Sequence, residues 1–150
     1  MKFKLIVFIL FTAFAFTSCD SDGVPRKEDN NINEYIAAKK LVVTQTTESG
    51  LRYIRTQESP NGATLQQGQK VTVNYAGRLL TDEEFDAGTF KFTLGVGQVV
   101  GGFDIGISLM KVGEKATIIF PSTLGYGSSK QGSIPKNSPL VFDVEVLKAE

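Results

Sequence analysis

The stretch "GGFDIGISLMKVGE", residues 101–114, decides the fold because it alone has helical periodicity within a long region of alternating residues. Phe103, Ile107 and Met110 recur at intervals of four and three residues, and Gly113 follows as a stop signal. We therefore predict one short helix in this part of the chain.

The segments on either side of this helix alternate between apolar and polar residues, as strands do. In residues 70–80, Val71, Val73 and Tyr75 fall on one face of a predicted strand. Other strands are predicted at "VVTQTT" (42–47), "LRYIRTQ" (51–57), "FKFTL" (90–94), "EKATIIFP" (114–121) and "LVFDVEVLK" (140–148). Five to six antiparallel strands and one helix predict an α+β fold, a half-barrel sheet wrapped around the helix.

The composition excludes several classes of function. Sixteen basic side chains balance sixteen acidic ones, so nothing indicates nucleic-acid binding. The chain has no histidine, which removes imidazole bases, imidazole metal sites and the Ser-His-Asp triad. A single cysteine excludes an intrachain disulfide and a Cys-rich zinc site. We expect no metal and no cofactor.

The N-terminus has the order of a secretory signal peptide, which we assign to residues 1–18. Lys2 and Lys4 precede the apolar run "LIVFILFTAFAF" (5–16), which is too short to span a membrane. The following "FTSC" resembles the bacterial lipobox, so we expect Cys19 to be lipidated after cleavage. The alternative is an ordinary signal peptide with a chance cysteine.

The remaining chain divides into three parts. Residues 19–30 are polar and charged and contain Gly and Pro, which predicts a flexible tether. Residues 31–41 place apolar side chains at i, i+3 and i+4 from Ile32, which predicts a short helical extension. Residues 42–150 form the main domain, whose glycine- and serine-rich loop "LGYGSSKQGSIP" (124–135) lacks the Gly-Lys-Ser/Thr ending of a phosphate-binding loop.

Four strings carry a resemblance to a known family. In chain order they are "VNYAGRLL", "FDAG", "FKFTLGVGQVVGGFDIGISLMKVGEKATIIFPSTLGYG" and "IPKNSPLVFDVEVLK". Together they resemble the FK506-binding-protein (FKBP-type) family of peptidyl-prolyl cis-trans isomerases, from about residue 51 to residue 150. The resemblance implies a half-barrel fold, isomerase activity without cofactor, and a role for residues 124–135 as a flap over a prolyl ring.

The resemblance also implies a pocket. By this resemblance, the Val100 N–H group and the Tyr126 hydroxyl are expected to bind ligand carbonyls. The Asp86 carboxylate is expected to accept a hydrogen bond from Tyr75 or from the ligand. Phe103 stands where the family has a tryptophan floor, and the segment between Asp86 and Phe90 is short, so we expect part of the rim to be missing. The implied catalytic residues are Tyr75, Asp86, Phe103, Tyr126 and Phe142, and the implied substrate-binding residues are Phe85, Phe90, Val99, Val100 and Ile134.

Taken singly, these residues have structural explanations. Tyr75, Phe90, Val99 and Phe142 would be ordinary core residues, and Asp86 before Ala and Gly could simply form a turn. The ordered set of strings favours the pocket.

The function implied is that of a lipid-anchored prolyl isomerase in the bacterial cell envelope, exported and facing the periplasm or the surface. Expected partners are proline-containing polypeptides, macrolides of the FK506 and rapamycin type, and a membrane reached through the anchor; we expect a monomer. The alternative is a non-catalytic peptide-binding or assembly lipoprotein on the same fold.

The lipidation hypothesis predicts cleavage before Cys19 and acyl chains on that residue. Intact mass of protein extracted from membranes measures both, and Cys19→Ala should release a folded domain because the residue precedes the predicted core. An unmodified N-terminus, or cleavage at another position, would contradict the assignment.

Overall fold

The computed structural model describes residues 23–150, so the predicted signal peptide and Cys19 lie outside the described residues. Within this range the helices and strands follow in the order α1 (Gly23–Ala38), β1 (Gln45–Thr46), β2 (Arg52–Gln57), β3 (Lys70–Leu79), β4 (Glu84–Thr93), α2 (Gly101–Ser108), β5 (Lys115–Phe120) and β6 (Leu140–Ala149). A short 3-10 turn, Ser122–Leu124, follows β5.

The strands form one antiparallel sheet in the order β1-β2-β5-β6-β3-β4. Strands β3, β4 and β6 are the long ones, and Tyr75 on β3 lies opposite Gly88 on β4 and Val144 on β6. Val71 and Val73 are fully buried and the intervening side chains less so, as the alternation predicts. The predicted α+β half-barrel on one helix is confirmed.

Helix α2 packs against β5, and its small residues make this contact possible. A Cβ atom at Gly102 would lie 2.3 Å from the Phe120 ring, and one at Gly106 would lie 2.6 Å from the Ile118 side chain. Both distances are below van der Waals contact, so any larger residue would push the helix away from the sheet.

The helix ends at Ser108 and is therefore shorter than the apolar periodicity through Met110 predicts. Met110 nevertheless remains buried beyond the helix end, since the chain turns back over the core before entering β5. The apolar spacing therefore marked buried positions correctly and overestimated the helix length.

Helix α1 covers part of the other face of the sheet. Ile32 and Tyr35 pack with Ile54, Ile119 and Val141 in a cluster separate from the main core. The apolar stripe predicted within residues 31–41 is therefore a packing surface. Because its partners come from β2, β5 and β6, the helix lies across the middle strands of the sheet.

The structure differs from the sequence prediction for the tether, because residues 23–30 belong to α1. The polar residues that suggested a tether form hydrogen bonds and an ion pair with the turn after β5 and with β2 instead. Glu28 accepts hydrogen bonds from Ser122, and Asp29 forms an ion pair with Arg52. Fixed partners offset the entropy of ordering this segment, which composition alone cannot reveal.

Further polar contacts hold the C-terminal half of α1. The Tyr35 hydroxyl donates to the Asp82 carboxylate at 2.9 Å, and Lys39 pairs with the same carboxylate. These bonds lower the pKa of Asp82 below its usual value, with the Lys39 hydrogen bond as the main cause. Among residues 23–150, no helix has the length and apolar character needed to cross a membrane.

Ile32→Ala should lower the free energy of unfolding by about 2–5 kcal/mol, because Ile32 is fully buried between α1 and the sheet and its truncation leaves a cavity. Urea unfolding of the variant measures the loss. Glu34→Ala, at an exposed position on the same helix, is the control and should change stability little. Equal stability of the two variants would mean that α1 is not docked in solution.

Candidate functional site

A cleft of about 530 Å³ opens between the N-terminal end of α2, strands β3, β4 and β6, and the loop that follows the 3-10 turn. We call the loop of residues 124–135 the flap. The residues that line the cleft are Tyr75, Phe85, Asp86, Phe90, Gln98, Val99, Val100, Phe103, Tyr126 and Phe142.

Phe103 lies at the centre of the aromatic residues in the cleft. Its ring contacts Phe142 edge to face at a centroid distance of 5.0 Å and Tyr75 at 6.0 Å. A third ring, Phe92, lies 5.8 Å away. Each such pair contributes about 0.5–1.5 kcal/mol beyond simple burial, so the floor is a rigid apolar surface.

A β-bulge directs two consecutive side chains of β4 towards the cleft. The register shifts by one residue beside Gly77, opposite Asp86, so Phe85 and Asp86 both reach the site. A Cβ atom at Gly77 would lie 2.7 Å from the rings of Phe85 and Phe142. Glycine is therefore required at this position, because a side chain would displace the aromatic wall.

The segment between Asp86 and Phe90, expected to be a short loop, is part of a strand. Asp86 and Phe90 lie within the continuous strand β4 rather than at the ends of a short loop, and they are opposite Gly77 and Val73. Asp86 is thus a strand residue and not a turn former. Phe90 stacks on Phe92 with the rings nearly parallel and remains 43% exposed, so it forms an apolar edge of the cleft.

Tyr75 and Asp86 form the polar pair of the cleft. The Tyr75 hydroxyl donates to the Asp86 carboxylate at 2.7 Å, as the resemblance implies. This hydrogen bond is the main reason that the pKa of Tyr75 rises to about 12, since a phenolate beside the carboxylate would lose the bond and be repelled. Tyr75 is therefore a neutral donor throughout the physiological range.

Two further groups can bind a ligand carbonyl. Val100 is the N-cap of α2, and its carbonyl accepts from Phe103 and Asp104. Within residues 23–150 its own N–H group has no hydrogen-bond partner, so it is available to a ligand. Tyr126 is half-buried and packs against the core from the flap, between Gly125 and Gly127.

The structure brings nine of the ten implied pocket residues into one cleft; Ile134 is the exception. Ile134 is buried in the main core, where it anchors the distal end of the flap. Gln98 lines the cleft and was not predicted; its side-chain oxygen accepts from the Thr93 N–H at 2.7 Å. The sequence signal that could have identified Gln98 is its position directly before Val99 and Val100.

Strands, helix and cleft together define an α+β domain whose site suits an apolar ring attached to a carbonyl group. Comparison with protein families gives the particular class. Residues 62–147, more than half of the chain, match the model of the FKBP-type peptidyl-prolyl cis-trans isomerases. The chain belongs to this family, and the resemblance stated from the sequence is confirmed.

Individual relatives agree with this classification. An FKBP-type peptidyl-prolyl cis-trans isomerase, FkpA of Aeromonas hydrophila, is 38% identical over 87% of this chain and 49% of its own length. FK506-binding protein 3 of Candida albicans is 34% identical over 85% of this chain and 29% of its own length. The crystal structure of FkpA from Escherichia coli matches with a TM-score of 0.68 and 28% identity, over 85% of this chain and 62% of that chain. The chain thus spans less than two thirds of each of these proteins.

Asp86→Ala should lower the pKa of Tyr75 from about 12 towards the usual value of 10, because the variant removes the carboxylate that accepts the Tyr75 hydrogen bond and whose charge disfavours the phenolate. Carbon NMR of labelled tyrosine rings across an alkaline titration measures this change. Glu84→Gln, an exposed carboxylate on the same strand, is the matched control and should leave it unchanged. A Tyr75 pKa that stays near 12 without the Asp86 carboxylate contradicts the assigned cause.

Proposed function

We propose that this domain catalyses cis-trans isomerisation of X-Pro bonds in polypeptides of the bacterial cell envelope. The observation that supports this most directly is the cleft itself, in which an aromatic floor around Phe103 adjoins two carbonyl-binding donors, the Val100 N–H and the Tyr126 hydroxyl. A prolyl ring fits the apolar floor, and the carbonyl that precedes the proline can reach the donors at the rim.

The chemistry requires no nucleophile and no metal, because no bond is broken. Rotation about an X-Pro bond crosses a barrier of roughly 18–20 kcal/mol as the amide loses its resonance. The twisted amide is less polar than the planar one, so an apolar site that replaces water favours the transition state. A rate gain of about 10⁴ needs only about 5–6 kcal/mol.

The polar groups of the cleft have separate roles in this mechanism. The Tyr126 hydroxyl and the Val100 N–H fix the carbonyl while the ring is held against Phe103 and Phe142. Asp86 holds the Tyr75 hydroxyl, which keeps the Tyr75 ring against Phe103 and leaves the second carboxylate oxygen for the ligand backbone. Catalysis then comes from preorganised contacts rather than from proton transfer.

The same cleft suits macrolides of the FK506 and rapamycin type, which present an apolar ring next to carbonyl groups. Phe103 is smaller than the tryptophan that the resemblance places there and lacks its indole N–H. We therefore expect weaker macrolide binding than in family members that have the tryptophan. The proline site keeps its aromatic surface, because Phe92, Phe142 and Tyr75 surround Phe103.

The N-terminal sequence supports a location in the cell envelope. Residues 1–18 have the order of a signal peptide and Cys19 that of a lipidation site, which together support an exported protein anchored in a membrane of the envelope. Proline-containing polypeptides folding outside the cytoplasm would then be the clients.

The proposal predicts that the protein accelerates the isomerisation of X-Pro peptides and that a rapamycin-type macrolide competes with the peptide. The specificity constant should be nearly flat from about pH 6 to 9, because the chain has no histidine and Tyr75 stays protonated.

Tyr126→Phe should lower the specificity constant about two- to tenfold, because the loss of one neutral hydrogen bond has an effect of this size. Ser128→Ala, at an exposed position on the same flap, is the control.

Peptide binding without acceleration would favour the non-catalytic peptide-binding lipoprotein instead. A bell-shaped pH profile centred near neutrality would indicate acid–base catalysis and would contradict a mechanism without proton transfer.

A further inference from the structure

Glu28 on α1 is a carboxylate with no part in the chemistry of the cleft, yet it is only 4% exposed. Among residues 23–150, Ser122 is the hydrogen-bond partner of both carboxylate oxygens. Oε2 accepts from the Ser122 N–H and Oε1 accepts from the Ser122 hydroxyl, both at 2.7 Å. Burial of a carboxylate is costly unless it is fully hydrogen-bonded, so these two bonds must form wherever α1 is docked.

Ser122 in turn holds the backbone on both sides of Tyr126. Its carbonyl oxygen accepts hydrogen bonds from the Gly125 N–H at 2.9 Å and from the Gly127 N–H at 2.8 Å. Gly127 has a φ of +58°, a conformation that glycine adopts without strain. The path from Glu28 to Tyr126 thus consists of one residue and four hydrogen bonds.

Apart from the packing of the Tyr126 side chain against the core, few other contacts hold the flap backbone near Tyr126. The Gly127 carbonyl accepts from Asn137 at 2.7 Å, and the Tyr126 carbonyl accepts from Ser129 within the loop itself. Residues 128–133 are exposed. The orientation of the Ser122 peptide units therefore has a large share in fixing where the Tyr126 ring enters the cleft.

We propose that Glu28 is a positioning residue for Tyr126, so that α1 forms part of the machinery that orients the substrate carbonyl. This inference rests on the proposed isomerase function. The carboxylate occupies both donors of Ser122 at once, which fixes the rotation of that residue and hence the direction of its carbonyl. Hydrogen bonds to a charged group are stronger than neutral ones, so a neutral replacement holds the turn less firmly.

The position of Glu28 gives this link a consequence for the domain. Glu28 lies outside residues 62–147, the segment that matches the isomerase family, and on the helix that follows the proposed anchor in the chain. Undocking of the first half of α1 would release Ser122 and loosen the flap without altering Phe103 or the Tyr75–Asp86 pair. Substrate positioning by the flap is then sensitive to a segment that is not part of the cleft.

A double-mutant cycle between Glu28→Gln and Tyr126→Phe tests the proposal. Glu28→Gln should lower kcat for an X-Pro peptide about two- to tenfold with a smaller change in KM, because the Tyr126 hydroxyl acts as the amide twists. The double variant should be no slower than Tyr126→Phe alone. Ser122→Ala, which removes one of the two hydrogen bonds to Glu28, should give a smaller loss in the same direction.

Two controls separate positioning from general stability. Glu34→Gln removes an exposed charge on the same helix and should retain full activity. Val146→Ala truncates a fully buried residue on β6, away from α1 and the flap, and should reduce stability while its kcat at a permissive temperature stays that of the parent. Additive losses in the cycle, or full activity of Glu28→Gln, would overturn the proposal.

Amide hydrogen exchange supplies a readout that does not depend on activity. The Gly125 and Gly127 amides should exchange several-fold faster in Glu28→Gln than in the parent protein or in Glu34→Gln, with the β-sheet amides unchanged. Unchanged exchange at both glycines would refute the link even if the protein proves to be a good isomerase. Conversely, faster exchange in a protein without isomerase activity would support the link and reject the proposed function.

Discussion

The direct contact between α2 and β5 is the constraint on which the rest of the structure depends. Gly102 and Gly106 leave no room for a side chain against Phe120 and Ile118, so the helix lies on the sheet itself. This close approach places Phe103 within the ring cluster and turns the N-terminal end of α2 towards the cleft. The aromatic floor and the available N–H of Val100 are thus two results of one packing requirement.

The buried carboxylates among residues 23–150, Glu28 and Glu114, both have hydrogen-bond donors as partners. Glu114, 1% exposed, accepts from the Lys111 N–H at 2.8 Å and from the Tyr53 hydroxyl, and it pairs with Arg55. Glu114 directly precedes β5, and Ser122, the partner of Glu28, follows that strand, so each carboxylate fixes a turn at one end of β5. Such groups add little net stability, but they exclude alternative arrangements of the loops they hold.

Alternation and helical spacing were sufficient to predict the α+β class, the short helix and the sheet apart from the first half of β4, because both patterns record which side chains are buried and that half of β4 is mostly exposed. The cleft required the family resemblance, since Tyr75 or Phe142 alone is indistinguishable from core. Sequence patterns could not reveal that residues 23–30 are helical, because the partners of Glu28 and Asp29 are distant in the chain. Nor could they show the bulge beside Gly77, which depends on pairing register.

Strand β4 has two roles, as a wall of the cleft and as an edge of the sheet. It carries Phe85, Asp86 and Phe90 of the cleft, and it is also an edge strand ten residues long that has no partner on its outer side among residues 23–150, whereas the opposite edge, β1, has only two residues. A chain that moved β4 by pairing along this edge would also move the cleft residues that the strand carries. By thermodynamic reciprocity, occupancy of the cleft would then change the affinity of the edge by the same factor. Binding at the edge and binding in the cleft are therefore coupled to the extent that either one moves β4.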